Sequence, residues 1–290
     1  MANQLRPMGI GDILDTAFSL YKRRFVPFLT ISMIVYVPYA ILMALIGAFA
    51  RSISHGAARG PNLWDGTDSG AVTQALLLQT GAPDFSSIPV FRMLAMGLVA
   101  FVGFMVFLSI VYPLCAGALM VNISELYLGR ELTALESYKR VFGKLGRLLY
   151  AHFLAMLCIG LGMVLCVVPG ILCSLWFMLV TAVVLMEDHG ASASLKRSRT
   201  LMSGNLGKGF LLGLAVAILG AVVSFGVGFV VRLVPWPAPF VADFLGNLAP
   251  AFVLPLSIGA TVLLYYDLRI RKEGFDLEYL AAGLNASRSR

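Results

Sequence analysis

The chain has 290 residues, 59% of them hydrophobic and 13% charged. A soluble domain of this size runs near 25% charged and could not bury so much apolar surface, so composition excludes a water-soluble globular fold. The net charge of +7 would suggest nucleic acid in a soluble protein, but in a membrane protein its placement along the loops reports orientation instead, and no nucleic-acid partner is expected.

In chain order, residues 5–21 place Ile10, Ile13, Leu14, Ala17, Phe18 and Tyr21 at helical spacing opposite Asp12, Asp15 and Ser19. That is the pattern of an amphipathic helix at a membrane surface. Lys22, Arg23 and Arg24 close it, and residues 25–50 are then 26 uncharged positions with Pro38 as a kink. Ala48-Phe49-Ala50 has the form of a signal-peptidase site, but two aspartates before so long an apolar run make a poor leader, and a retained first span is expected. Residues 51–92 form the longest loop, with Trp64 and a short apolar helix around 71–78. A second uncharged run covers 93–123, with Pro113 inside it and Asn122 and Glu125 at its exit. The loop that follows carries Arg130, Lys139, Arg140, Lys144 and Arg147.

The 39 residues 148–186 contain no Asp, Glu, Lys or Arg. As one helix they would be about 58 Å long, nearly twice a bilayer's hydrocarbon thickness, so they must turn back. Val167-Val168-Pro169-Gly170 is the expected turn, dividing the run into limbs of 21 and 17 residues. Both limbs are long enough to cross, although a re-entrant hairpin would give the same sidedness. Lys196, Arg197, Arg199 and Lys208 follow, then a fifth span at 210–231, a Pro-rich turn holding Trp236, and a sixth span at 244–266 containing Pro250 and Pro255.

The fold class expected is therefore an all-α integral membrane protein: six transmembrane helices as three helical hairpins, with amphipathic cytoplasmic surface helices. Residues 1–280 read as one polytopic domain and 281–290 as a flexible tail. Repeat units at 8–123, 131–186 and 190–266 are suggested by Ala17-Phe-Ser-Leu-Tyr-Lys-Arg-Arg-Phe25, Ala134-Leu-Glu-Ser-Tyr-Lys-Arg-Val-Phe142 and, more distantly, Ser194-Leu-Lys-Arg-Ser-Arg-Thr-Leu-Met202. Six spans place 18 of the 22 Lys and Arg residues on the side of both termini, which the positive-inside rule makes cytoplasmic. Gly209, Gly213, Ala217 and Ala221 form a small-residue ridge on the fifth span. Such a ridge lets helix backbones approach, either in the bundle interior, the preferred reading, or at a self-association face.

Chemistry is sparse. His55, His152 and His189 lie on different segments, and Cys115, Cys158, Cys166 and Cys173 sit inside apolar runs. Neither set has metal-ligand or nucleophile spacing, so no cofactor and no enzymatic activity are expected. The basic residues beside the surface helices, Lys22, Arg23, Arg24, Lys139, Arg140, Lys196 and Arg197, are candidate contacts for lipid headgroups. Glu125, Glu187, Asp188, Asp267, Arg269 and Arg271 fall at span ends and are candidates for a polar structural network. Asp267 precedes Arg271 by four residues, a spacing at which the two meet on one helix face. The closing motif is expected to dock on the other cytoplasmic elements, with Phe275 and Leu277 as anchors and Glu187 or Asp188 among its acidic partners.

The opening Leu5-Arg-Pro-Met-Gly-Ile-Gly-Asp-Ile-Leu-Asp-Thr-Ala-Phe-Ser-Leu-Tyr21, the middle Glu187-Asp-His-Gly190 with Leu195-Lys-Arg-Ser198, and the close Tyr265-Tyr-Asp-Leu-Arg-Ile-Arg-Lys-Glu-Gly-Phe-Asp-Leu-Glu278 resemble the bacterial glycerophosphoryl diester phosphodiesterase membrane domain family. The resemblance covers nearly the whole chain. It implies a multi-pass module of the bacterial cytoplasmic (inner) membrane without the phosphodiesterase domain, and it gives no warrant for hydrolysis. The expected function is non-enzymatic binding of membrane lipid or a partner membrane protein at the basic face. A small-molecule or lipid transporter or channel is the alternative, requiring Asn247, Ser257 and Thr261 to converge on a mid-membrane cavity.

Overall fold

A computed structural model describes residues 7–58, 89–234, 236 and 238–274, and among them every regular element is helical. Six helical segments are long and apolar enough to cross a membrane: Phe25–Phe49, Gly97–Tyr127, Leu145–Leu165, Val167–Met186, Leu206–Leu233 and Pro239–Glu273. The chain is an all-α multi-pass membrane protein. The expected helix at 71–78 and the anchors Phe275 and Leu277 lie outside the described residues.

Helix α1 (Ile10–Arg23) starts where the Asp12 carboxylate accepts the Gly9 N–H at 2.9 Å, and it ends in Lys22 and Arg23. A carboxylate in the first turn and cations in the last both suit the helix dipole. Its apolar face is divided: Ile13, Ala17 and Leu20 are buried against the bundle, whereas Phe18 is 48% exposed. Helix α2 (Phe25–Ala58) follows at once and runs past the end expected for the first span.

The second crossing joins α3 (Pro89–Val106), a π-helical turn (Phe107–Val111) and α4 (Tyr112–Tyr127). Pro113 has no N–H and would crowd the carbonyl four residues before it. The π turn, closed by Tyr112 N–H to the Phe107 carbonyl, immediately precedes that proline and lets the crossing continue. Helix α5 (Ala134–Phe142) is capped reciprocally: Glu136 N–H donates to Thr133 Oγ1 at 3.3 Å, and Thr133 N–H donates to Glu136 Oε2 at 2.9 Å.

The central run turns at a different residue from the one expected. Helix α6 (Leu145–Leu165) and α7 (Val167–Trp176) are separated by the single extended residue Cys166, at φ −170° and ψ 151°. Pro169 falls in the first turn of α7, where a missing N–H costs nothing. The tight reversal depends on glycine, since a Cβ added at Gly162 would stand 3.0 Å from the Gly170 Cα. The 21 residues of α6 span about 31 Å, enough for a full crossing. The returning limb breaks at 177–179 before α8 (Val180–Met186).

Helices α9 (Ala191–Met202), α10 (Leu206–Leu233) and α11 (Pro239–Glu273) complete the chain. A short helix thus precedes each pair of spans, and each short helix buries one face on the bundle. The axis is α11, which packs against α2, α10, α1 and α4. Of its most apolar stretch 72% is buried, against 6% for α10. The expected interior position of α10 is therefore corrected: Ala217 and Ala221 are exposed, and a Cβ at Gly213 would meet nothing within 4 Å. Gly209 alone of that ridge is buried, facing Met202 and Leu175. Lipid tails are as apolar as leucine, so an apolar helix has no hydrophobic reason to leave the periphery.

Candidate functional site

Four separate segments meet at one end of the bundle, around the last turns of α11. Asp267 is wholly buried, and its carboxylate accepts from the backbone N–H of Met8 at 2.7 Å, from Lys208 at the start of α10, and from Arg271 Nε at 3.0 Å. Lys208 Nζ and Arg271 Nη2 also donate to the Met8 carbonyl, at 2.6 and 3.1 Å. A buried carboxylate is tolerated only when paired and hydrogen-bonded, and Asp267 is both. This clamp ties the N-terminal segment, α10 and α11 together. The Asp267–Arg271 pair is thus part of a buried network, where an exposed pair at that spacing would contribute only a few tenths of a kcal/mol.

One face around the helix, Glu187 is nearly buried. It receives Arg197 Nε at 2.7 Å and the Tyr265 hydroxyl at 2.9 Å, with Arg269 3.9 Å away. Arg197 bridges onward to Glu273 at 2.5 Å, and Arg269 reaches Glu273 at 3.2 Å. Hydrogen bonds to Glu273 and then to Glu187 raise the Arg197 pKa, keeping its guanidinium charged. Lys272 donates to the Thr200 and Ser203 carbonyls, both at 2.7 Å, and so closes the C-terminus of α9. The closing motif is docked through Glu273, its last helical residue, and of the two expected acidic partners Glu187 meets Arg269, whereas Asp188 pairs with Lys144 and Arg147.

Between α4, α5, α8 and α11 lies a cavity of about 460 Å³. Its lining includes the apolar Val121, Leu128, Leu185 and Met186 and the polar Glu125, Arg140, Lys144, Asp188 and Arg269, with Ser124 and Tyr266. Arg140 pairs with Glu125 at 2.6 Å, and the Ser124 and Tyr266 hydroxyls are 2.6 Å apart. Lys144 pairs with Asp188 at 2.8 Å and also donates to the Leu185 carbonyl at 2.8 Å. Arg147 meets Asp188 at 3.1 Å. Asp188 sits at φ +55°, a left-handed conformation that Asp tolerates better than most residues. The hydrogen bond from Lys144, then that from Arg147, lowers the Asp188 pKa.

All six residues named from sequence as a polar network therefore gather at this end. The seven candidate headgroup contacts divide. Arg24 pairs with Glu131, Arg140 with Glu125, and Arg197 with Glu187 and Glu273. Lys22, Arg23, Lys139 and Lys196 are exposed, Lys22 with its ammonium 4.8 Å from the centre of the Phe18 ring. Sequence reading missed Lys208, whose partner is 59 residues away, and Met8, whose partner is 259 away. It also missed the α5 cap, although Thr133-x-x-Glu136 announces it. Asn122 joins α4 to α5 through the Leu132 carbonyl at 3.0 Å and Ser137 Oγ at 2.8 Å. Asn247 and Thr261 donate to carbonyls of their own helix, at Asp243 and Ser257. Among the described residues no group of three His, Cys, Asp or Glu side chains is placed to hold a metal.

A membrane protein of the bacterium Serratia proteamaculans (strain 568), described as a UPF0259 membrane protein, is 31% identical over 144 residues. The match covers 49% of this chain and 56% of the relative, so the chain spans little more than half of that protein's length. No family model and no solved structure matches the chain.

Proposed function

We propose that this chain is a non-enzymatic, multi-pass module of the bacterial cytoplasmic membrane, with both termini cytoplasmic, whose basic end engages anionic lipid headgroups. The observation that carries it is the position of Lys22, Arg23, Lys139 and Lys196. They stand exposed on α1, α5 and α9, three helices held against one end of the bundle by buried contacts. Each exposed cation near an anionic bilayer surface contributes about 1 kcal/mol of attraction. Rigid docking presents them without a further backbone ordering cost. The charge bias of the loops supports the cytoplasmic assignment. The resemblance to the glycerophosphoryl diester phosphodiesterase membrane domain supports a multi-pass membrane module.

Co-purification from bilayers of mixed phosphatidylglycerol and phosphatidylcholine tests the proposal. The wild-type chain should retain phosphatidylglycerol above its bulk fraction. Replacing Lys22, Arg23, Lys139 and Lys196 together by Gln should bring the retained fraction down toward bulk. Unchanged enrichment in a folded quadruple variant would overturn the proposal. A partner membrane protein or self-association is the second class of contact, and the outward Ala217 and Ala221 of α10 are where a second copy would meet it. Disulfide trapping through Ala221→Cys, in a background without the native cysteines, would detect that.

A further inference from the structure

We infer that the cavity at the basic end is a discrete binding site for one phosphoryl group, carried by a lipid headgroup or a soluble phosphate. This deepens the headgroup reading above and rests on the same end of the molecule, but on different residues. The cavity volume of about 460 Å³ falls within the range of small-molecule sites, roughly 300–1,000 Å³. Its lining holds the cations Arg140, Lys144 and Arg269 and the carboxylates Glu125 and Asp188; Arg269 is matched by Glu273, but Glu125 also meets Arg130 at 3.8 Å and Asp188 also meets Arg147 at 3.1 Å, so each lining carboxylate faces two cations and negative charge is short. A phosphodiester monoanion supplies the missing negative charge.

The cations approach from three directions: Arg140 from α5, Lys144 from the turn before α6, and Arg269 from α11. Each is already oriented by protein partners, Glu125 at 2.6 Å, Asp188 at 2.8 Å and Glu273 at 3.2 Å. Guanidinium and ammonium groups each have several donors, so a carboxylate partner fixes the group while other N–H bonds can point elsewhere. The Ser124 and Tyr266 hydroxyls add neutral polar groups to the same lining. Beside them, Val121, Leu185 and Met186 give an apolar surface suited to the first carbons of a lipid. Polar and apolar groups in one lining match an amphiphile with a phosphate at its head.

The test is native mass spectrometry of the full chain in a neutral detergent, with dioleoylphosphatidylglycerol, dioleoylglycerol or inorganic phosphate added. One phosphatidylglycerol should be retained per chain. Val121→Phe, which fills the cavity without altering a charge, should weaken that retention by at least about tenfold, and the exposed quadruple variant should keep it. If Val121→Phe does not fold, Leu128→Phe, at the residue that ends α4 and in the same lining, replaces it. Binding of inorganic phosphate, weakened by the same variant, would support a phosphoryl site filled from solution; binding of phosphatidylglycerol alone would support a lipid site. Equal retention of dioleoylglycerol, or full phosphatidylglycerol retention in the folded cavity variants, would overturn the inference. Loss in the cavity variant with normal bulk enrichment, or the reverse, separates this site from the surface reading.

Discussion

Helices α10 and α11 are consecutive, both long enough to cross, and opposite in what surrounds them. The first carries no charge between Lys208 and Arg232, yet only 6% of its apolar stretch is buried. The second carries Asp243 and Asp267, and 72% of its most apolar stretch is buried. In water the more apolar helix would be the core. In lipid the order reverses, because a buried carboxylate needs protein partners whereas an apolar side chain is equally content with acyl chains. The helix that carries polar chemistry is therefore the one the bundle encloses. The same helix supplies Tyr266 and Arg269 to the cavity and Asp267 to the clamp.

The contrast breaks most sharply at Asp267. Asp267→Ala leaves Lys208, 15% exposed, without its carboxylate, and loss of one partner from a buried pair costs about 3–5 kcal/mol. The detergent-solubilised chain should melt far below wild type, while Phe225→Ala on α10, 77% exposed in wild type, should leave the melting temperature unchanged. A fall of the same size in both variants would break the comparison.

A smaller effect is expected from glycine. A Cβ at Gly117 on α4 would already stand 3.2 Å from Val141 and 3.3 Å from Leu148 and Leu185. Gly117→Leu should therefore destabilise by about 1–3 kcal/mol through overpacking. Gly213→Leu on α10, where nothing lies within 4 Å, should be neutral in the same unfolding measurement.

The smallest effect concerns pH. The Asp188 pKa is lowered in the folded chain, so its contribution is present above the unfolded carboxylate value of about 3.9 and is lost as pH falls through the folded value. Asp188 is 63% exposed, so solvent screening keeps the effect slight. Melting curves from about pH 6 down to about pH 3 should show the wild-type advantage over Asp188→Asn shrinking at the acid end. A constant difference would mean that the ion pairs with Lys144 and Arg147 contribute nothing.

What sequence could show follows from the same physics. The six spans were legible because uncharged runs of membrane length have few other uses, and Asp267 with Arg271 because their spacing is local. The turn was misplaced by four residues or fewer because Pro169 suits a first helical turn as well as a loop; Cys166 carries no local signal of an extended conformation. Burial of α10 was misread because small residues permit close packing without requiring it. The clamp on Met8 and Lys208 was illegible because its members are brought together by tertiary packing alone. The cavity was illegible for the same reason: its walls come from α4, α5, α8 and α11.

Photolabelling in bilayers with a lipid-soluble carbene reagent, mapped by peptide mass spectrometry, tests most directly whether α11 is the enclosed axis and α10 its lipid-facing neighbour. Label should accumulate at Leu211, Ile218, Val222, Phe225 and Phe229 and spare Val262, Leu263 and Leu264, which are fully buried. Equal labelling of the two helices, or heavier labelling of residues 262–264, would contradict the account.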